Sequence, residues 1–170
     1  MIAPAGTRHP DGFRKPEGAD VIKDLDLSCE RQVLEILALQ RASYAVEAEL
    51  IGSFEIPPLK DTTDTLRHCG ESFCGFFAEG RLVGMISYKR GDDVLDIHRL
   101  VVHPDHFRKG IGRALVEHIE EIAGTGDRIT VSTGAKNVPA RRLYRSLGFE
   151  EMKEAEAVPG LRITFFEKPL

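Results

Sequence analysis

The stretch LVVHPDHFRKGIGRALVEHI, residues 100–119, combines glycines and basic side chains at the predicted start of a helix. The first turn of a helix has backbone N–H groups without intrahelical partners and the positive end of the helix dipole, so it attracts phosphate. Gly110 and Gly112 let an anion approach those amides closely, and positive charge comes from three neighbouring side chains, Arg108, Lys109 and Arg113. The pattern predicts an anion-binding turn, although a glycine pair alone can also serve a tight strand-to-helix connection. The dinucleotide fingerprint GxGxxG and the phosphate loop GxxxxGK[ST] are both absent from the chain.

Two titratable side chains interrupt the apolar strand that leads into this turn. In DVLDIHRLVV, residues 93–102, strict alternation places Asp96, His98, Leu100 and Val102 on one face. A carboxylate and an imidazole two residues apart on a strand are separated by about 7 Å and can share or relay a proton. Either side chain can instead be hydrogen-bonded within the sheet, and the sequence leaves both interpretations open.

The elements around these residues are predicted in the order β-α-α-β-β-β-α-β-α-β-β. A short strand within residues 20–25 precedes a helix that runs from an N-cap at Ser28 to about Leu50. Residues 72–90 read as two strands around a turn at Glu79-Gly80. A helix follows the anion-binding turn. After it the sequence predicts the strand ITVST, the helix VPARRLYRSL, and strands near 149–156 and 161–167.

The anion-binding turn resembles the acetyl-coenzyme A signature of the GCN5-related N-acetyltransferase (GNAT) superfamily. That signature, [Q/R]-x-x-G-x-[G/A], follows a strand that ends in V-x-P, and here Val102 and Pro104 are followed by FRKGIG. Phe107 stands where the family has Gln or Arg, with the charge of Arg108 beside it. A second segment, NVPARRLYRSLGFEE, is similar to the family pattern N-x-x-A-x-x-L-Y-x-x-x-G-F, and the terminal GLRITFFEKPL resembles the last strand of the family.

The resemblance implies an α/β (α+β) GNAT fold, with a mixed, mostly antiparallel central sheet of six to seven strands and about four helices on both faces. It also implies a cofactor site. Asn137 and Ala140 would hold the pantetheine arm, and the backbone of Leu100, Val101 and Val102 would pair with it like an added strand. The pyrophosphate would lie on the turn formed by Phe107, Arg108, Lys109, Gly110, Ile111, Gly112 and Arg113.

The same resemblance implies the reaction, which is direct transfer of acetyl from acetyl-CoA to a primary amine, either a small molecule or an exposed amino group. Tyr144 takes the position of the general acid that protonates the departing thiolate. Asp96 matches the position of a catalytic glutamate in histone-modifying members, and the general base is left open between Asp96, His98 and a water chain. No metal is expected. Two alternatives are a non-catalytic acyl-CoA sensor and a nucleotide-binding regulatory domain.

Composition and charge indicate which classes of binding partner to expect. The 170 residues carry 23 basic and 27 acidic side chains, for a net charge of -4, so no nucleic-acid partner is expected. Residues 107–145 hold eight basic and four acidic side chains, which suits a polyanionic coenzyme A. Residues 44–75 hold six acidic and two basic ones, which would steer a cationic amine.

Length and composition indicate how the chain is divided and where it is located. We expect a flexible leader over residues 1–19, where prolines and glycines interleave without a helical or strand period, and a single domain over residues 20–170. No apolar run reaches the ~18 residues of a membrane span and the first residues lack a signal-peptide core, so no membrane partner and a cytoplasmic location are expected. A homodimer is among the expected assemblies. The three cysteines, Cys29, Cys69 and Cys74, are predicted to be reduced and buried.

Overall fold

The computed structural model describes residues 19–170, so the predicted leader lies, except for Ala19, outside the described residues. Within this range seven strands and four helices follow one another in the predicted order. The helices are α1 (Glu30–Ile51), α2 (Thr63–His68), α3 (Ile111–Ile122) and α4 (Val138–Ser146). The strands are β1 (Val21–Asp24), β2 (Ser72–Ala78), β3 (Arg81–Arg90), β4 (Val94–Val102), β5 (Arg128–Gly134), β6 (Glu150–Val158) and β7 (Leu161–Pro169). Short 3-10 turns occupy Pro57–Lys60 and Pro104–His106.

All seven strands form one sheet in the order β1-β2-β3-β4-β5-β7-β6. Only the central β4–β5 pair is parallel, and the other pairs are antiparallel. The predicted turn at Glu79 and Gly80 connects β2 to β3, and both residues have positive φ values of 50° and 74°, as a two-residue hairpin turn requires. The mixed, mostly antiparallel sheet confirms the predicted fold class.

Each face of the sheet packs against its own pair of helices. On the face that we call the α3 face, α3 and α4 bury Leu115, Ile119 and Tyr144 against sheet residues such as Ile129 and Phe166. On the opposite face, the α1 face, α1 and α2 bury side chains such as Val33, Ile36 and Leu66 against Met85 and Val101. The periods of the two kinds of element explain this arrangement, because apolar residues three and four apart form one stripe on a helix and alternate residues form one face of a strand.

The start of α1 differs from the prediction. Ser28 is not the N-cap, because Oδ1 of Asp26 accepts both its backbone N–H at 2.8 Å and its hydroxyl at 2.7 Å. The residue before the helix is Cys29, which makes no side-chain capping bond. The three thiols are free, as predicted, but only Cys74 is buried, while Cys29 and Cys69 are half-buried.

Among the helices of residues 19–170, none combines the length and the apolar character that a bilayer crossing requires. The same residues contain no group of three or more His, Cys, Asp or Glu side chains placed to hold a metal ion.

Candidate active site

The sheet opens between its two parallel strands. Residues 94–97 of β4 pair with residues 128–131 of β5, and the pairing ends there although β4 continues to Val102 and β5 to Gly134. A cavity of about 230 Å³ lies at this opening, between the ends of both strands, α1, the 57–60 turn and α4. The opening therefore gives helices on opposite faces of the sheet access to one cavity.

Some backbone hydrogen-bonding groups of β4 at this opening point away from the neighbouring strand β3. The N–H of His103 donates to the carbonyl of Val83 at 2.8 Å. Along an antiparallel strand, the N–H and C=O groups of successive residues point alternately toward and away from the neighbouring strand. Because those of His103 point toward β3, those of Leu100 and Val102 point away from β3 and toward the gap. Val101 buries its side chain in the core on the α1 face.

The predicted anion-binding turn lies between the end of β4 and the start of α3. Gly110 precedes α3 with φ 79°, and a Cβ atom built on it would meet no atom within 4 Å, so the space above this residue is open. Arg108 also has a positive φ, 61°, a conformation that is uncommon outside glycine. Among residues 19–170, no partner forms an ion pair with Arg108 or Lys109, whereas Arg113 is held by the Ser146 hydroxyl at 2.7 Å. Phe107 is 42% exposed beside this turn.

Helix α4 contributes Tyr144, Ala140 and Asn137 to the cavity. The Asn137 side chain accepts the backbone N–H of Ala140 at 3.2 Å, so it caps α4 while bordering the cavity. The Tyr144 ring packs against Phe149 and Phe166, with ring centroids 5.6 Å away in both cases. Within the described part of the chain its hydroxyl has no hydrogen-bond partner. Burial, and then the charge of Glu47, raise the pKa of Tyr144 well above its ordinary value, so the phenol stays protonated.

The predicted alternation along β4 is wrong, because the strand contains a bulge. Arg99 pairs with Ser87 and Ile97 pairs with Tyr88, which leaves His98 without a partner on β3. Leu100 and Val102 consequently pack on the α3 face, while Asp96 and His98 lie on the other face. The extra residue of the bulge moves each later side chain of the strand to the face opposite the one that strict alternation predicts.

Asp96 and His98 contact each other on the α1 side of the bulge. His98 Nε2 lies 3.0 Å from Asp96 Oδ2, and the Thr130 hydroxyl donates to Asp96 Oδ1 at 2.6 Å. His98 Nδ1 is 3.7 Å from a Glu71 oxygen, beyond ordinary hydrogen-bond distance. His98 lines the cavity, but Asp96 does not; it lines an adjacent groove of about 660 Å³ over β5 and β7.

Arg99 anchors a polar network that the sequence analysis missed. The guanidinium binds Glu71 through two nitrogens at 2.8 and 3.2 Å, donates to Gln40 Oε1 at 2.7 Å, and also contacts Asp61. Burial by itself would lower the pKa of Arg99, but Glu71 and Asp61 outweigh it and raise that pKa. Gln40 donates to the Pro58 carbonyl at 3.3 Å, so the network fixes the 57–60 turn against β4 at the edge of the cavity.

Two further cavity residues, Tyr44 and Glu47, come from α1 and were also missed. Burial raises the pKa of the Glu47 carboxyl, and a hydrogen bond from Asn137 acts in the opposite direction. A signal for them existed, since Tyr44 and Glu47 are three residues apart and such residues lie on one helix face. Of the predicted site residues, the cavity brings together His98, Leu100, Asn137, Ala140 and Tyr144, while the 107–113 turn lies beyond the end of β4 and Asp96 lies in the adjacent groove.

Known proteins are similar to this chain in sequence. The "UPF0157 protein YqkA" of Bacillus subtilis (strain 168) is 41% identical over 132 residues, which are 78% of this chain and 38% of that protein. The [Ribosomal protein bS18]-alanine N-acetyltransferase of Escherichia coli (strain K12) is 41% identical over 61 residues, 35% of this chain and 41% of that protein. The chain thus spans about two fifths of the length of these relatives.

Solved structures agree with the fold. The structure of the PaiA N-acetyltransferase from Thermoplasma acidophilum in complex with coenzyme A superimposes with a TM-score of 0.63 at 19% identity, covering 89% of this chain and 99% of that one. Residues 34–149 match the acetyltransferase (GNAT) family. Because this match covers more than half of the chain and includes both the open strand pair and the anion-binding turn, the chain belongs to the acetyltransferase (GNAT) family.

Proposed function

We propose that this domain transfers the acetyl group of acetyl-CoA directly to a primary amine, either a small molecule or an exposed amino group. The observation that supports this most strongly is the opening between β4 and β5, which has a protonated phenol at the cavity and an open glycine turn beyond the end of β4. The amine nitrogen gains an acetyl group and loses a proton, while the thioester sulfur gains one and leaves as a thiol.

The residues fit coenzyme A. The outward backbone groups of Leu100 and Val102 offer hydrogen bonds to an extended amide-bearing arm, as the edge of any sheet does. The space above Gly110, the first-turn amides of α3, and the charges of Arg108 and Lys109 suit a pyrophosphate. Acetyl-CoA, when bound, supplies an activated acyl group.

Tyr144 donates a hydrogen bond to the leaving sulfur. Its hydroxyl has no partner in residues 19–170 and is therefore available to donate. Its raised pKa makes complete proton transfer to a thiolate less favourable than it would be for an ordinary phenol, so Tyr144 acts chiefly as a hydrogen-bond donor to the sulfur as charge develops there.

His98 accepts the proton of the amine. It lines the cavity, and its Nδ1 is the nitrogen that no carboxylate holds at hydrogen-bond distance. Asp96, 3.0 Å from Nε2, orients the ring. This assigns Asp96 a positioning role behind His98.

The alternative is acyl-CoA binding without transfer, and the position of Asp96 outside the cavity is the observation that favours it. Thiol release from acetyl-CoA in the presence of a panel of amines, together with calorimetric titration of coenzyme A, ATP and NAD, separates these functions. We expect coenzyme A to bind more tightly than ATP or NAD, and an amine to accelerate thiol release. Binding without turnover for every amine would establish the sensor instead. The cytoplasmic location and the homodimer stay predictions.

A further inference from the structure

Part of the cavity wall is predominantly apolar. It is built from α1, the 57–60 turn and β7, and its apolar members are Ile51, Ile56, Pro57, Pro58, Leu161 and Ile163. Glu47 supplies the one carboxylate that borders the cavity in the described part of the chain, and it neighbours Tyr44, Asn137 and Tyr144. A bound molecule would therefore meet one acidic group, this apolar wall and the two phenols, with hydroxyl and amide groups of Ser132, Thr133 and Asn137 also at the border.

Glu47 is short of a counterion. Within residues 19–170 it forms no ion pair with Lys, Arg or His, and burial raises the pKa of its carboxyl. An ionised carboxylate in such surroundings is unfavourable unless a cation pairs with it. An ammonium group entering the cavity would supply that cation, and would also offset the charge that helps to raise the pKa of Tyr144.

In the described part of the chain, both basic side chains that border the cavity, Arg99 and His98, already lie against carboxylates. Arg99 borders the cavity, but its guanidinium is committed to Glu71, Asp61 and Gln40 and lies over the Phe73 ring at 5.7 Å. His98 is paired with Asp96. A carboxylate on the acceptor would therefore enter without a partner and close to Glu47, where like charges repel.

We propose that the acceptor is a primary amine carried on an apolar body, with its ammonium group bound by Glu47 and with no carboxylate next to the nitrogen. Free α-amino acids are poor acceptors for this reason. The inference rests on the proposed acetyl transfer and names the substrate class of the same cavity.

Two compounds of the same skeleton test this, 2-phenylethylamine and L-phenylalanine, which differ by the carboxylate alone. Initial rates of thiol release are measured with acetyl-CoA for the full chain, for Glu47→Gln and for Glu49→Gln. Glu49 is an exposed carboxylate two residues further along α1 and serves as the matched control. We expect kcat/KM for 2-phenylethylamine to exceed that for L-phenylalanine at least ~10-fold. Glu47→Gln should lower the larger value ~10-fold, mainly through KM, and Glu49→Gln should leave it unchanged.

A second measurement does not depend on turnover. The thermal midpoint is recorded with coenzyme A present, with and without each compound. 2-Phenylethylamine should raise the midpoint of the parent but not that of Glu47→Gln. The midpoint of ligand-free Glu47→Gln should equal or exceed that of the parent, since the variant removes a carboxylate whose ionised form burial disfavours.

The outcomes separate the two proposals. Equal or better use of L-phenylalanine, or an unchanged KM in Glu47→Gln, overturns the substrate class while leaving acetyl transfer in place. Failure of both compounds, of spermidine and of a lysine-containing peptide to release thiol, with coenzyme A still bound, overturns acetyl transfer itself and the substrate class with it.

Discussion

Replacing Tyr144 by Phe isolates the contribution of one hydroxyl group to the reaction. The Tyr144 ring is 3% exposed and packs against Phe149 and Phe166, and a phenylalanine ring preserves these contacts. The hydroxyl has no hydrogen-bond partner within residues 19–170, so its removal leaves no buried group unpaired there. The unfolding free energy should therefore change by less than ~1 kcal/mol.

The expected loss of rate follows from the protonation state of the phenol. A general acid contributes roughly 10²- to 10⁴-fold. The pKa of Tyr144 is raised, above all by burial and then by Glu47, so full proton transfer is uphill and the lower end of that range applies. We expect kcat to fall ~10²-fold, which corresponds to about 2.7 kcal/mol of transition-state stabilisation. Affinity for coenzyme A should be retained.

The assay is thiol release at saturating acetyl-CoA across the pH range. Tyr88→Phe is the matched control, because Tyr88 lies on β3 and does not border the cavity. The raised pKa of Tyr144 keeps the phenol protonated, so kcat of the parent should show no decline assignable to this group up to about pH 10, the ordinary pKa of tyrosine. Full activity in Tyr144→Phe would refute the assigned acid.

Three other substitutions are expected to act on different parts of the site. Gly110→Val should weaken coenzyme A binding at least ~30-fold by filling the open space at the turn, whereas Gly126→Val, with a similarly positive φ in the loop before β5, should leave calorimetric affinity unchanged. Arg99→Met should lower the free energy of unfolding, measured in urea, by about 3 kcal/mol or more, because it leaves the largely buried carboxylates of Glu71 and Asp61 without their cation. Arg31→Met, at an exposed site, should leave it unchanged, and equal urea midpoints for the two variants would contradict the network. Asp96→Asn should lose kcat most at low pH and recover as pH rises, since more amine is then neutral without help; a pH profile superimposable on that of the parent would leave Asp96 without a role in the proton path.

The fold was accessible from the sequence because its signals are local. Apolar spacing in α3, the Glu79-Gly80 turn and the run of alternating strand residues each identify an element without reference to any other. The same holds for Gly110 and Asn137, whose roles at helix starts depend on neighbours within a few residues.

The remaining features depend on residues that are distant in the sequence. The bulge at His98 is defined by the pairing of β4 with Ser87 and Tyr88 of β3, and no pattern within residues 94–102 indicates it. The Arg99 network joins residues up to 59 positions apart. A basic side chain in an apolar strand is a detectable signal of a buried ion pair, but the identity of its partners requires the folded chain.

The opening in the sheet explains how two reactants can meet. Tyr144 belongs to the core on the α3 face and Tyr44 to the core on the α1 face, and an unbroken sheet would hold their helices apart. Because β4 and β5 separate after Ile97 and Val131, both tyrosines border one cavity. No cysteine of residues 19–170 lines that cavity. In the roles proposed above, a hydrogen-bond donor to the sulfur comes from one face and an amine-binding carboxylate from the other, and both border the same cavity. This arrangement favours attack by the amine while the acetyl donor is still bound.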